Sequence, residues 1–154
     1  MRILHILSKD ITPEQETRFL RLLGVLNAVS DKHSVLSAQL KGITVPLEKS
    51  NVPHEVQKFG GMFDLRTKKA LQDIISTFKP HIIISHSEDS AAFTSTHIKD
   101  IPHIGMIDGG SADRYIASFC DHTIMMTEKQ KDSDVLKNAL ARFETVLKRH
   151  EEKT

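Results

Sequence analysis

Three runs in this chain, RILHIL (residues 2–7), HIIIS (81–85) and HIGMI (103–107), place apolar side chains at successive positions instead of alternating them with polar ones. A strand of that kind has no wet face. It needs helices packed on both sides of its sheet, the condition met in parallel α/β layers. Segments of helical period lie between the runs. DITPEQETRFLRLLGVLNAVS opens with Thr12 as N-cap, Pro13 at the first helical position and Gln15 closing a capping box. Phe19, Leu22, Leu23, Leu26 and Val29 then repeat at helical spacing. A second helix is predicted from Asp64, with Leu65, Ala70, Leu71, Ile74, Ile75 and Phe78 inward and Pro80 ending it. A short helix follows over about 88–98 and a helical turn after DGGSADRY. A second capping box, Thr127 with Gln130, opens a long amphipathic helix reaching about residue 150.

The other predicted strands are HSVLSAQL (33–40), HTIMM (122–126) and ITVPLE (43–48), the last demoted to an edge by Pro46. Residues 49–63, with Pro53 and the pair Gly60-Gly61, read as loop. Six strands alternating with helices predict a Rossmann-like three-layer α/β/α domain over residues 1–150, followed by a charged tail at 151–154. Its sheet is mostly parallel, in the order 3-2-1-4-5-6 that right-handed crossovers favour.

Composition narrows the function. With 21 basic and 20 acidic residues, no Trp and one Tyr, the chain lacks both the charge and the stacking surface of a nucleic-acid binder. The single cysteine, Cys120, excludes an internal disulfide and fits a reducing compartment. The opening MRILHILSKD has too short an apolar core for a signal peptide, and no run approaches a membrane span of roughly 20 residues. A soluble, cytoplasmic protein is predicted, with peripheral membrane association left open.

Nine histidines invite a metal site. His33, His81, His103 and His122 each begin a strand, and in a parallel sheet those starts share the edge opposite to the one that binds ligands. None has the close paired spacing of a zinc motif, so they read as polar strand entries. His5, inside strand one, reads as a hydrogen-bonded core residue. His86 differs, because it stands at the carboxyl end of strand four, beside the topological switch. There it serves a ligand or a proton transfer, or else it is incidental to Ser87 capping the next helix, with Glu88 and Asp89 favoured by the helix dipole.

Two more turns share that edge. SKDIT after strand one supplies Ser8, Lys9, Asp10 and Thr12 before a helix N-terminus, with no glycine and hence neither a dinucleotide fingerprint nor a Walker loop. DGG after strand five supplies Asp108 with Gly109 and Gly110, which permit close backbone approach or simply make a good turn. A response-regulator receiver is excluded, since strand three ends in Leu47-Glu48 and strand five in Asp108 where that chemistry needs an aspartate and a lysine.

In order, FDLRTKKALQDIISTFKPHIIISHS, DIPHIGMIDGG and RYIASFCDHTIMMTEKQK resemble the N-terminal domain of family 4 glycosyltransferases, the retaining enzymes of GT-B architecture. That family shows a helix, Lys-Pro-Asp and an apolar strand ending in His-Ser. A second strand ending in His-Gly, a tyrosine and a segment ending in Ser-Glu follow. With MRILHIL the likeness covers nearly the whole chain. His86 then matches the histidine after strand four, Tyr115 the tyrosine, and Thr127-Glu128 the Ser-Glu pair. Three positions depart: Lys9-Asp10-Ile11-Thr12 replaces a Gly-Gly, His81 an aspartate, and Asp108 the histidine that ends strand five.

The resemblance implies an acceptor-side domain that helps transfer a sugar, with retention, from a nucleotide sugar to a glycan or lipid-linked acceptor. His86 and Asp108 would be its catalytic residues. Lys9, Asp10, Thr12, Ser87, Glu88, Gly109, Gly110 and Tyr115 would bind substrate. No metal or cofactor is implied beyond the donor substrate, held mainly by a C-terminal donor-binding domain that lies outside this sequence. A second donor-binding chain or a homo-oligomer would complete the enzyme. The alternative is a non-catalytic Rossmann-like binding or scaffold module that kept the fold and lost the chemistry; a small nucleotide binder is a third.

Overall fold

A computed structural model describes residues 1–27 and 32–154 of the chain; Val29, assigned to the first helix by its spacing, lies outside the described residues. The elements run β1 (Arg2–Leu7), α1 (Pro13–Asn27), β2 (Lys32–Ser37), α2 (Lys41–Lys49), β3 (His54–Val56), α3 (Leu65–Phe78), β4 (Ile82–Ser85), α4 (Glu88–His97), β5 (His103–Ile107), α5 (Asp113–Phe119), β6 (His122–Met125) and α6 (Asp132–Lys153). The strands form one six-stranded sheet in the order β3-β2-β1-β4-β5-β6, and every pairing is parallel. This is the doubly wound α/β arrangement that the buried strands require.

The period of two sorts the core into layers. Leu4, Ile6, Leu36 and Ile83 face α3 and α4, meeting Ala70, Leu71 and Phe93. Ile3, Ile82, Ile84 and Ile104 face the other way, onto Leu22 and Leu26 of α1 and Ala139, Phe143 and Val146 of α6. Leu7 and Val35 complete that face against Phe19, Leu23 and, from α2, Ile43 and Leu47.

Three expectations need correction. ITVPLE is not a strand; residues 41–49 form helix α2 despite Pro46 inside it, and Ile43 and Leu47, one turn apart, are both fully buried. The third strand is instead His54–Val56, within the segment read as loop, and it pairs with Val35–Ser37. Tertiary burial overrode a local preference set by three β-branched residues. The Thr127–Gln130 pair also fails to open α6. Gln130 Oε1 accepts from the Thr127 N–H at 2.9 Å, but the helix starts at Asp132 with Lys131 as N-cap and runs to Lys153. The box at the start of α1 does form, with the Thr12 N–H on Gln15 Oε1 at 2.9 Å and the Gln15 N–H on Thr12 Oγ1 at 3.2 Å.

Candidate functional site

All six strands point the same way, so the residues that follow them collect on one rim of the sheet. At the switch between β1 and β4, Asp10 organises that rim. Its carboxylate accepts hydrogen bonds from the hydroxyls of Ser8 and Ser87, the latter at 2.7 Å, and from the Asp89 N–H at 3.1 Å. Ser87 also donates its N–H to Ser90 Oγ at 3.0 Å, so it caps α4 as one of the two readings held. Burial, with Asp10 nearby, raises the carboxyl pKa of Asp89, while Lys9 opposes the rise. Glu88 is half-buried in the first turn of α4.

His86 does not open onto this rim. It is wholly buried, with the edge of the Phe19 ring 4.9 Å away between centroids. The strand register explains what it does instead. Ile3 aligns with His33 and His5 with Ile84, so His33, His5 and, two residues past Ile84, His86 share the face under α1. Their rings touch in a row: His33 Nδ1 lies 3.0 Å from His5 Nε2, and His5 Nδ1 lies 3.0 Å from His86 Nε2. Burial holds both His5 and His86 well below the usual imidazole pKa; the neighbouring rings of His86 and His33 disfavour a charge on His5 further, and Arg18 does the same for His86. His86 Nδ1 has no hydrogen-bond partner. Among the described residues no group of three or more His, Cys, Asp or Glu could hold a metal ion; this row bonds to itself.

Arg18 links the next strand end. It is nearly buried on α1, donates to the Met106 carbonyl at 3.3 Å and pairs with Asp108 Oδ2 at 3.4 Å. Burial lowers its pKa, opposed by Asp108 and Asp113. Asp108 keeps 46% of its side chain exposed. Its loop is tied by Gly110 N–H to Asp108 Oδ1 at 2.8 Å and Gly109 N–H to Asp113 Oδ2 at 2.7 Å, and Gly109 adopts φ +90°, a conformation that favours glycine. Tyr115 lies apart, exposed on α5 under the Arg114 guanidinium, and Thr12 serves the cap of α1. His86 and Asp108 thus follow adjacent strands on one rim, the first sealed and the second open.

The space for a ligand lies on the other side of the switch. A cavity of about 610 Å³ opens at the ends of β1, β2 and β3, lined by Lys9, Gln39, Gln57, Lys58, Asp64 and Arg66 among others. A smaller one of about 210 Å³ adjoins it at Lys9, between Ser8, Phe59–Met62 and Asp89. Sequence reading found Lys9 but missed Gln39, Gln57, Lys58, Arg66 and Arg18. Gln39 escaped because the second strand was read through to residue 40 and ends at Ser37; Gln57 and Lys58 escaped because the third strand was sought at 43–48, and with β3 ending at Val56 they fall at a strand terminus.

No protein-family model matches the sequence, and neither does any curated protein. Solved structures do match. The UDP-GlcNAc 2-epimerase of Neisseria meningitidis, bound to UDP-GlcNAc, superposes with a TM-score of 0.55 at 12% identity over 99% of this chain and 53% of its own. The E. coli heptosyltransferase WaaC with ADP-2-deoxy-2-fluoro heptose gives 0.55 at 12% over 92% and 48%. The spinosyn rhamnosyltransferase SpnG complexed with thymidine diphosphate gives 0.51 at 11% over 84% and 46%. The chain spans about half the length of each and shares a GT-B-like, Rossmann-type domain fold with them.

Proposed function

We propose that this chain is the acceptor-side domain of a GT-B-type glycosyltransferase, and that the acceptor is a sugar or lipid-linked compound carrying an anionic group. The observation that supports this best is the cavity of about 610 Å³ on the carboxyl rim, within the size of a small-molecule site. Three cations line it, Lys9, Lys58 and Arg66, against one acid, Asp64. That acid already accepts hydrogen bonds from Gly60, Arg66 and Thr67, which hold its pKa at about 2. A phosphate would find three cations there against the single ionised carboxylate of Asp64, which the N–H groups of its own loop already engage.

In this reading the nucleotide-sugar donor is held by a separate donor-binding domain or chain, and transfer occurs with retention as in the family 4 resemblance. Asp108, open to solvent and aimed by Arg18, orients the acceptor hydroxyl. Lys9 and Asp10, beside Ser87 and Glu88, position the acceptor body. His86 acts from beneath, fixing the start of α4 through its place in the buried row.

One observation favours the second reading, a binding module without chemistry: His86 is sealed under Phe19 and can touch no substrate in this arrangement. Two measurements separate the readings. Calorimetric titration with farnesyl phosphate should show binding that Lys9→Glu with Lys58→Glu weakens by about tenfold or more, while farnesol binds poorly. Equal affinity for the alcohol and the phosphate, or an unaffected double variant, overturns the anionic acceptor. Transfer from a nucleotide-sugar panel, with and without a candidate donor-binding chain, then decides on chemistry; inactivity in every combination leaves the binding module.

A further inference from the structure

Among the described residues the two most exposed large apolar side chains are Phe63, at 77%, and Leu65, at 74%, with Val45 next at 52%. Phe63 and Leu65 follow exposed Met62 where the loop after β3 turns into the first residue of α3. That loop is firmly built. The Asp64 carboxylate accepts the N–H groups of Gly60 at 2.9 Å, Arg66 at 3.1 Å and Thr67 at 3.3 Å, and the Thr67 hydroxyl at 2.8 Å. Behind it, Phe59 is buried, donates its N–H to Thr67 Oγ1 and packs edge-on against Phe93 at 5.6 Å. His97 anchors the Met62 carbonyl. The backbone is fixed while the apolar tip is left in water.

Charge surrounds the tip on one side of the balance. Residues 57–69, QKFGGMFDLRTKK, hold Lys58, Arg66, Lys68 and Lys69 against Asp64 alone, in a chain whose totals are 21 basic and 20 acidic residues. On α3, Lys68 and Lys69 lie one turn from Leu65 and share its face. An apolar tip flanked in sequence by cations is the pattern that binds an anionic bilayer surface, where side chains enter the acyl boundary and lysines meet lipid phosphates. The N–H groups of Gly60, Asp64, Arg66 and Thr67 are bonded within the segment, so docking leaves these four paired.

We propose that segment 59–66, the end of the loop with the first residues of α3, docks on a bilayer containing anionic phospholipid, inserting Phe63 and Leu65 while Lys58, Arg66, Lys68 and Lys69 contact the headgroups. The cavity lined by Lys9, Lys58 and Arg66 then opens beside the membrane surface. This goes beyond the acceptor reading and stands without it, because it is drawn from exposure and charge alone.

The chain has no Trp, so Phe63→Trp installs a single reporter. Vesicles of phosphatidylcholine mixed with phosphatidylglycerol, at low ionic strength, should shift its emission to the blue, and lipids brominated near the glycerol backbone should quench it. Phosphatidylcholine alone should act weakly. In sedimentation with the same vesicles, Phe63→Ser with Leu65→Ser should bind about tenfold more weakly than the unmodified chain, and Lys58→Glu with Arg66→Glu about 25-fold, at about fivefold for each cation lost. Emission unchanged by anionic vesicles overturns the proposal, as does equal sedimentation of the serine variant. A blue shift that follows protein concentration and ignores vesicles also overturns it, assigning the tip to a second copy of the chain. Failure of the farnesyl phosphate titration would leave these results untouched.

Discussion

Each contact in the row His33–His5–His86 holds one hydrogen between two ring nitrogens, so the tautomer of His5 fixes the direction of its neighbours. The rings of His5 and His86 contact each other, His33 and Phe19, with burial and not an acidic partner setting their protonation. Their lowered pKa values therefore make stability depend on pH. So does that of His103, buried beside Ser85 and held at about 4 by burial, with Asp121 opposing. The unfolded chain protonates these three imidazoles below about pH 6.5, and the folded chain does not. Their contribution is complete above that pH and is lost as pH falls toward the folded values, at up to about 1.4 kcal/mol per pH unit for each group. Urea midpoints should drop steeply between neutral and mildly acid pH, and His103→Asn should flatten the slope by about one proton's share. A flat profile would mean the imidazoles charge without cost. Sequence pattern marked His5 as a core residue and His86 by its strand end. It could not place His33 on the same face, because that depends on the β1–β2 register.

At the scale of elements, the missed helix teaches most. Predicted strands at 33–40 and 43–48 left two residues between them, too few to bring a chain back parallel, since such a crossover takes a dozen or more. The requirement for a parallel sheet should have converted residues 41–49 to helix and moved the strand later, and α2 and β3 stand there. The strands of the continuous apolar runs were legible because their composition leaves no other burial. Packing of α5 on the sheet was not. It depends on Gly105, where an added Cβ would lie 2.5 Å from Ile116 Cγ2 and 2.8 Å from Cys120 Sγ. Gly105→Ala should cost about 1–3 kcal/mol by overpacking, read as a lower urea midpoint with an unchanged slope. Cys120 itself is no nucleophile in this setting, since burial pushes its thiol up to about 12.

For the whole molecule, direction of the strands brings three basic groups from separate segments around one cavity, and that convergence carries the functional reading. The rim as a location was readable from sequence. Which part of the rim holds the space was not, because the cavity is framed by β3 and the loop after it. The likeness to about half the length of an epimerase, a heptosyltransferase and a rhamnosyltransferase is a likeness of fold. The most direct test is a ¹⁵N–¹H correlation titration of the full chain with farnesyl phosphate. Amides of Lys9, Gln39, Gln57, Lys58 and Arg66 should shift together on one binding curve. Shifts confined to the opposite edge, around His54, His81 and Asp121, or no shift at saturating ligand, would contradict the account.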